Sequence, residues 1–257
     1  MNVAGRICVV TGAAGGIGQA LARRFHAAGA RHVVCADLDG EGAVATAEEI
    51  GGTGIGVDVS GENEIEALVT RIERDIGPVD LFCSNAGISI RGGVDVSDAA
   101  WQKMWEVNVM AHVWAARHML PHMIARGGGY FLNTSSAAGL LSHVSSAPYA
   151  VTKHAAVAFS EWLALAHGDE GIRVSVLCPQ AVKTNMLKGK EGGVASVDGL
   201  LEPEHVAEDC LAAIEEERFL VLPHPEVKEY LRRKTEDYDR WIGGMRKLRR
   251  RYTEGLA

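Results

Sequence analysis

Residues 7–18 read ICVVTGAAGGIG: an apolar run, a glycine-rich turn and the start of a predicted helix. Further along the chain, short runs rich in β-branched residues alternate with longer helical stretches. The predicted strands cover residues 6–11, 32–36, 54–57, 79–84, 129–134, 173–178 and 219–222, and a long helix is predicted over residues 101–124. Strands such as residues 7–10 and 174–177 are mostly apolar rather than alternating, which is typical of a parallel sheet with helices on both faces. The sequence therefore predicts an α/β fold, a single doubly wound domain with a parallel sheet of about seven strands.

The chain divides into a core and a charged tail. Residues 1–225 carry the alternation, and within them residues 185–201 mix glycines with apolar residues, as a loop over a substrate pocket does. Residues 226–257 hold ten Lys or Arg against six Asp or Glu, with apolar residues at near-helical intervals: Tyr230, Leu231, Tyr238, Trp241, Met245 and Leu248. We predict one amphipathic helix that extends the same domain and packs on this subunit or a neighbouring one. Contact of residues 246–251 with a membrane surface is the alternative.

Composition narrows the class of protein. The formal net charge of −7 argues against nucleic acid as the main partner, because phosphate binding needs a broad cationic face. The first residues do not have the pattern of a secretory signal, so we expect a cytoplasmic location. No set of His, Cys, Asp or Glu has the spacing of metal ligands, so no metal is expected.

The glycine-rich turn predicts a phosphate-binding site. Glycines let the backbone turn sharply and approach a ligand, and the N–H groups that open the following helix attract an anion. The spacing is G-x-x-x-G-x-G rather than G-x-G-x-x-G, and a tight strand–helix connection without a ligand is the alternative. The residues expected to contact a nucleotide here are Gly12, Gly15, Gly16, Ile17 and Gly18.

The second predicted strand stops at Asp37, about 20 residues beyond the glycine turn. A carboxylate at this position can accept hydrogen bonds from both ribose hydroxyls of an adenosine, and it repels a 2′-phosphate. The next residue, Leu38, is also expected to contact the cofactor and carries no positive charge for such a phosphate. The pattern therefore favours NAD over NADP.

Four polar residues have a spacing that chance explains poorly. Tyr149 and Lys153 lie four residues apart at the start of a predicted helix, so that both project from one face. Ser136 precedes Tyr149 by 13 residues, and Asn108 precedes it by 41 residues. A single Tyr-x-x-x-Lys is common by chance, but the four residues together, with the glycine turn ahead of them, indicate a catalytic site.

These motifs resemble the short-chain dehydrogenase/reductase family over about residues 5–222. The TGxxxGxG motif of the family falls on residues 11–18, its NAG motif on residues 85–87, and its catalytic tetrad on Asn108, Ser136, Tyr149 and Lys153. The resemblance implies a Rossmann-like fold and an NAD-dependent enzyme. It also implies cofactor contacts by Asp58, Val59, Asn85, Ala86, Gly87, Tyr149, Lys153, Pro179, Val182 and Thr184. One departure is Gln180, where the family usually has Gly after the proline.

The resemblance also implies the roles of the tetrad. Tyr149 would exchange the hydroxyl proton, and a phenol with an ordinary pKa of about 10 is too weak a base near neutral pH. We expect the Lys153 ammonium and the cationic nicotinamide to lower the pKa of Tyr149. Ser136 would hydrogen-bond the substrate oxygen, Lys153 would also hold the ribose hydroxyls, and Asn108 would anchor a water that links Lys153 to solvent.

The predicted substrate is a secondary alcohol or ketone of apolar character: steroid-, terpenoid- or alicyclic-like. This expectation rests on the apolar content of residues 185–201 and of the segment before Tyr149. The predicted pocket residues are Ser136, Leu141, His143, Gln180, Met186 and Leu187. Two alternatives stay open: a reductase of acyl thioesters, which Lys183, Lys188 and Lys190 would suit, and a non-catalytic NAD-sensing or scaffold protein. By resemblance the enzyme is expected to be a homotetramer or homodimer.

Overall fold

The computed structural model describes residues 1–187 and 193–253 of the chain. Seven parallel strands form one sheet in the order β3-β2-β1-β4-β5-β6-β7, as predicted. The strands are β1 (Ile7–Thr11), β2 (His32–Asp37), β3 (Thr53–Gly56), β4 (Leu81–Ser84), β5 (Gly129–Thr134), β6 (Ile172–Leu177) and β7 (Leu220–Val221). The order reverses between β1 and β4, and in such sheets a crevice opens there at the carboxyl ends of the strands.

Helices cover both faces of the sheet. They are α1 (Gly16–Ala27), α2 (Gly40–Glu49), α3 (Glu62–Asp75), α4 (Asp98–Trp105), α5 (Ala111–Ala125), α6 (Ala138–Leu141), α7 (Ala147–His167), α8 (Pro203–Glu215), α9 (Glu226–Glu236) and α10 (Tyr238–Thr253). Alternate residues of β1 point to opposite faces, so that Cys8 and Val10 pack toward α1 and α8 while Ile7 and Val9 pack toward α3 and α5. No helix among the described residues is long and apolar enough to span a bilayer.

The structure corrects two predicted helices. The single helix predicted over residues 101–124 is interrupted by a π-helical turn, Glu106–Met110, between α4 and α5. The single helix predicted for the tail is two helices, because Asp237 has an extended backbone with φ −153°. The Asp237 carboxylate accepts a hydrogen bond from the Arg240 N–H at 2.9 Å and so starts α10.

The first tail helix packs on the body of the molecule. Val227 of α9 is fully buried in a cluster with Ala137 and Leu141. Lys234 of α9 is also buried, and its Nζ donates to the backbone oxygen of Leu140 at 2.5 Å. These contacts place the tail beside α6 and α7, at the carboxyl edge of the sheet.

Gly18, on the first turn of α1, shows how closely this helix approaches β1. A Cβ at this position would lie 2.0 Å from the Gly12 carbonyl oxygen. We expect Gly18→Ala to lower the free energy of unfolding by about 1–3 kcal/mol, because the helix must shift away from the strand. Gly15→Ala is the matched control, since its Cβ would meet no atom within 4 Å. Urea unfolding of both variants measures the effect, and equal losses would contradict the packing argument.

Candidate active site

A cavity of about 2000 Å³ opens at the carboxyl edge of the sheet. It is larger than the roughly 300–1000 Å³ that a single drug-sized ligand occupies, so it has room for a dinucleotide and a substrate side by side. Of the residues predicted from the sequence to form the site, only Gly18 and Asn108 do not line this cavity. Gly18 lies against Gly12, and the Asn108 side chain bonds to Ile88; both of these neighbours line the cavity.

The glycine turn forms one end of the cavity. Gly15 precedes α1 and has no side chain with which to cap it, so the first N–H groups of the helix are left for a ligand. Gly12 adopts a φ of +69°, and a Cβ there would lie 2.9 Å from Ala86 Cα. Gly16 has a φ of +53° and lies against the Thr184 side chain. This arrangement suits a pyrophosphate.

Asp37 and Leu38 lie at the end of β2, on the rim of the cavity. Asp37 Oδ2 accepts a hydrogen bond from the Ala14 N–H at 2.9 Å, and its Oδ1 accepts one from the Asp39 N–H at 3.0 Å. These bonds fix the orientation of the carboxylate beside the glycine turn.

Asp58 and Val59 form the adjoining wall. Asp58 Oδ1 accepts hydrogen bonds from the Ser60 hydroxyl at 2.7 Å and the Ser60 N–H at 2.9 Å, and Lys103 lies 3.4 Å from its Oδ2. The bonds from Ser60, with the Lys103 charge, hold the pKa of the Asp58 carboxyl below its usual range. The Val59 side chain is buried beside this polar cluster.

A chain of hydrogen bonds joins the glycine turn to the catalytic end of the cavity. Thr11 Oγ1 accepts from the backbone N–H groups of Asn85 and Ala86 at 2.9 and 3.1 Å. Thr134 Oγ1 donates to Asn85 Oδ1 at 3.1 Å, and the Thr134 carbonyl accepts from Lys153 Nζ at 2.9 Å. Gly87, the last residue of the same motif, lies against Lys153 Nζ, where a Cβ would be 3.4 Å away.

Asn108 lies in the π-helical turn and is fully buried. Its Oδ1 accepts from the Ile88 N–H and its Nδ2 donates to the Ile88 carbonyl, both at 2.9 Å. Its side chain therefore holds the segment that follows the NAG motif. The water that we expect Asn108 to anchor stays a prediction.

Lys153 projects from α7 into the buried centre of the site. Its Nζ lies 5.8 Å from the centroid of the Tyr149 ring, one helical turn away. Burial lowers the pKa of Lys153 to about 8, because desolvation disfavours the ammonium. The predicted pairing of the two side chains on one face of a helix is thus present.

The environment of Tyr149 differs from the expectation in one respect. In the chain without a cofactor, burial raises the pKa of the Tyr149 phenol, and a hydrogen bond with Ser136 offsets part of the rise. Lys153 alone therefore does not produce the expected lowering. The expected lowering of the Tyr149 pKa therefore depends on a cationic ring bound beside the phenol.

Ser136 follows β5 and faces the same end of the cavity. Its Oγ accepts from the Ala138 N–H at 3.1 Å and donates to the Pro179 carbonyl over a longer 3.4 Å. The second bond is weak by its length, so the hydroxyl is available to donate to a substrate oxygen instead. Pro179, Val182 and Thr184 continue this wall from the end of β6.

The remaining wall is mostly apolar. His143, in the loop before α7, packs edge-on against Tyr149 with ring centroids 5.8 Å apart, and burial lowers its pKa. The cavity is also lined here by Leu141, Val144, Met186, Leu187, Val194 and Val197. The predicted pocket residues therefore lie together beside the tetrad. Of the three lysines that would suit the thioester alternative, Lys183 pairs with Glu202 and does not line the cavity, and Lys188 and Lys190 lie outside the described residues.

Gln180 connects this wall to the tail. Its Nε2 donates to Asp198 Oδ2 at 2.9 Å, and the Tyr230 hydroxyl of α9 donates to Asp198 Oδ1 at 2.8 Å. The backbone N–H of Gln180 donates to His224 Nδ1 at 3.2 Å. The side chain that replaces the usual glycine thus ties the end of β6 to the loop at 193–199 and to α9.

The tail itself is the part of the site that the sequence analysis missed. Trp241, Met245, Leu248 and Tyr252 recur along one face of α10 and line the cavity. Their near-helical spacing was visible in the sequence, but we interpreted it as packing on a subunit. The structure shows that this face also lines the cavity, and that Trp241 packs against the cluster of Ala137, Leu141 and Val227, so part of the predicted packing on the same subunit is present.

Comparisons with known proteins agree with this geometry. A family model described as short chain dehydrogenase matches residues 6–193. Epidermal retinol dehydrogenase 2 of Homo sapiens is 33% identical over 233 residues, which cover 86% of this chain and 75% of that protein. The 1-deoxy-11-beta-hydroxypentalenate dehydrogenase of Streptomyces exfoliatus is 34% identical over 256 residues, covering 94% of this chain and 91% of that protein.

A solved structure shares the whole architecture. A short chain dehydrogenase/reductase from Burkholderia phymatum, in complex with NAD, superposes with a TM-score of 0.84 at 28% sequence identity. The match covers 93% of this chain and 96% of that one.

The buried ammonium of Lys153 predicts a pH-dependent stability. Its pKa of about 8 in the folded chain lies below the ordinary 10.5, so the folded state binds fewer protons between these values and gains stability as the pH rises. We expect the stability of the wild type relative to Lys153→Met to rise by up to about 3 kcal/mol from neutral pH to about pH 10.5. Urea unfolding of the cofactor-free proteins measures the difference. Lys228→Met, at an exposed position, is the control, and a difference for Lys153→Met that does not change with pH would contradict the burial argument.

Proposed function

The chain belongs to the short-chain dehydrogenase/reductase family, and from this premise we propose that it is an NAD(H)-dependent enzyme in which Tyr149 exchanges the proton of a predominantly apolar secondary alcohol or ketone. Membership confirms the resemblance inferred from the motifs. It makes the chain an oxidoreductase that interconverts alcohols and ketones, as predicted. One observation carries the finer proposal: Tyr149, Ser136 and Lys153 meet in the cavity whose other end holds the bare N-terminus of α1 and Asp37.

The residues at the first end of the cavity suit NAD. The N-terminus of α1 would hold the pyrophosphate, Asp37 the adenosine ribose, and the wall around Asp58 and Val59 the adenine. The relative from Burkholderia phymatum, whose structure contains NAD, supports this choice. We propose a preference for NAD over NADP because Asp37 Oδ1 and Oδ2 are already fixed by backbone N–H groups, so the negative charge cannot turn away from a 2′-phosphate.

Each residue at the catalytic end of the cavity has its own role in the proposed reaction. When bound, NAD⁺ supplies the ring that accepts the hydride. Tyr149 takes the hydroxyl proton as the hydride leaves and returns it in the reverse direction. Ser136 exchanges its weak bond to Pro179 for one to the substrate oxygen, and so holds the carbonyl that forms. Lys153 stays hydrogen-bonded to Thr134 and faces the phenol, where its charge favours the phenolate once the cofactor is in place.

The apolar wall supports the proposed substrate class. Leu141, Val144, Met186 and Leu187 line the cavity from the body, and the apolar face of α10 lines it from the tail. A bulky apolar alcohol fits such a pocket, because it buries apolar surface on both sides. The named substrates of the two relatives, a retinol and a hydroxypentalenate, agree with this class.

Oligomerisation stays a prediction. The outer face of α7 exposes large apolar side chains: Val151, Trp162 and Leu165, the last 85% exposed. Phe159 stacks on Trp162 at 6.5 Å between ring centroids, which makes the face broad and flat. A contiguous apolar face of this kind is typical of a subunit interface. We therefore propose a homodimer or homotetramer that pairs through α7.

The role of Tyr149 is tested by removing its hydroxyl. We expect Tyr149→Phe to lower kcat by about 10²–10⁴-fold, because proton transfer is lost while the pocket keeps its shape. Absorbance at 340 nm with NAD⁺ and a panel of secondary alcohols measures the rate, and quenching of protein fluorescence by NADH measures cofactor binding. Cofactor binding should be unchanged within about twofold.

Tyr130→Phe is the matched control. Tyr130 is also buried, but its hydroxyl bonds to Ser175 at 2.7 Å outside the cavity, so activity should be kept. If wild type and Tyr149→Phe bind NAD and are equally inactive on alcohols and ketones, the chain is a sensor or scaffold. If both are inactive on these but the wild type reduces acyl thioesters, the thioester alternative holds.

Cofactor choice is tested at Asp37. We expect Asp37→Ala to narrow the preference for NAD⁺ over NADP⁺ by about tenfold or more, because the repulsion of the 2′-phosphate and the two ribose hydrogen bonds are lost together. Asp39→Ala, next in the same turn but outside the cavity, is the control. The ratio of kcat/KM for the two cofactors measures the effect. Equal use of both cofactors by the wild type would refute the role given to Asp37.

A further inference from the structure

The part of the cavity lining that is formed by the tail and by residue 91 is rich in positive charge. Of the described residues that line it there, five are arginines and three are carboxylates: Arg91, Arg232, Arg233, Arg240 and Arg249 against Glu229, Glu236 and Asp237. The chain as a whole has a formal net charge of −7. A local excess of cations in an acidic protein, in the lining of a cavity, focuses an attractive field on an anion.

The three carboxylates in this part of the lining are already engaged within the tail. Glu229 accepts from Arg232 and from Arg233, each at 2.8 Å, and these partners hold its pKa at about 2. Glu236 pairs with Arg232 on the other side. Asp237 accepts the Arg240 backbone N–H that starts α10. The charges of Arg232 and Arg233 are thereby compensated.

Two guanidinium groups at the cavity lack such a partner. Within residues 1–187 and 193–253, no carboxylate lies within ion-pair distance of the Arg91 or the Arg240 side chain, although the Asp237 carboxylate is close to Arg240 in the chain. Arg91 comes from the body and Arg240 from the tail, so they approach the cavity from different elements.

Arg91 is the better fixed of the two. The residues on either side of it are tied to the segment before α7: Ile90 O accepts from the Ser146 hydroxyl at 2.5 Å, and the Gly92 N–H donates to the Ser145 carbonyl at 3.1 Å. Its charge helps to lower the pKa of His143, which packs on Tyr149. The charge of Arg91 therefore acts on His143, and the backbone on both sides of Arg91 is held in place.

We propose that the substrate carries a carboxylate in addition to its reacting alcohol, and that Arg91 and Arg240 bind this carboxylate. The inference rests on the proposed function, whose substrate it specifies. Arginine is suited to the task, because its planar fork donates two parallel hydrogen bonds to a carboxylate. The same cavity is also lined by apolar side chains, including Trp241 and Met245 of α10. The expected substrate is thus an apolar hydroxy acid or keto acid.

The test uses secondary hydroxy acids of graded chain length and the methyl esters of the same acids, with the full-length protein and NAD⁺. For the wild type we expect kcat/KM to be higher for the acids than for their esters. Arg91→Gln and Arg240→Gln should each lower the acid-to-ester ratio about tenfold, mainly through KM for the acid, because each removes charge-assisted hydrogen bonds from bound substrate. High salt should lower the ratio as well.

Arg246→Gln is the matched control. Arg246 lies on the same helix and carries the same charge, but it is exposed and outside the cavity, so both kcat/KM values should stay unchanged. If the wild type oxidises the esters and other neutral alcohols as well as the acids, the carboxylate site is refuted and the proposed function stands. If it oxidises none of them, the proposed function fails. A preference for phosphate monoesters of diols over the hydroxy acids would overturn the assignment of a carboxylate.

Discussion

The Thr11 hydroxyl joins the two halves of the active site. It accepts hydrogen bonds from the N–H groups of Asn85 and Ala86, and so ties the end of β1 to the residues after β4, where the strand order reverses. Asn85 in turn bonds to Thr134, and the Thr134 carbonyl holds Lys153. The glycine turn and the catalytic amine therefore depend on one set of bonds across three neighbouring strand ends. Such a set forms only if β1, β4 and β5 are parallel and in register, which is why the chemistry follows the sheet so closely.

Among the described residues, the partners of Lys153 and Tyr149 are uncharged groups. Burial disfavours the ammonium of Lys153 and the phenolate of Tyr149 alike, and the partners of these groups are a carbonyl and a hydroxyl rather than ions. The protonation of the pair is therefore sensitive to any charge that enters the cavity. A cationic ring beside Tyr149 would favour the phenolate directly. Because the site has low polarity, the charge of a bound ligand decides the protonation states of Tyr149 and Lys153.

The sequence was most informative where local pattern and tertiary role coincide. Apolar runs predicted all seven strands, since a strand buried on both faces has little choice of residue. The spacing of Tyr149 and Lys153 predicted their common face, because four residues is close to one helical turn. The π-helical turn at Asn108 was not predictable, as it depends on the bonds of this residue to Ile88 in a distant segment. The rise in the pKa of Tyr149 depends on the packing around the phenol, so it could not be predicted from the sequence either.

The hydrophobic periodicity of the tail predicted helical structure but not its surroundings. A repeating apolar stripe shows that one face of a helix avoids water, but not what covers that face. Val227 and Lys234 of α9 are buried against the body, so this helix is held independently of any ligand. Trp241 and Met245 of α10 line the cavity, and Trp241 also packs against the cluster around Val227, so an apolar molecule in the cavity would add to burial that is already present. The two tail helices therefore differ in role: α9 fixes the position of the tail, and α10 adds a wall that a substrate would contact. A change in the tail should accordingly alter which alcohol is bound before it alters how the hydride is transferred.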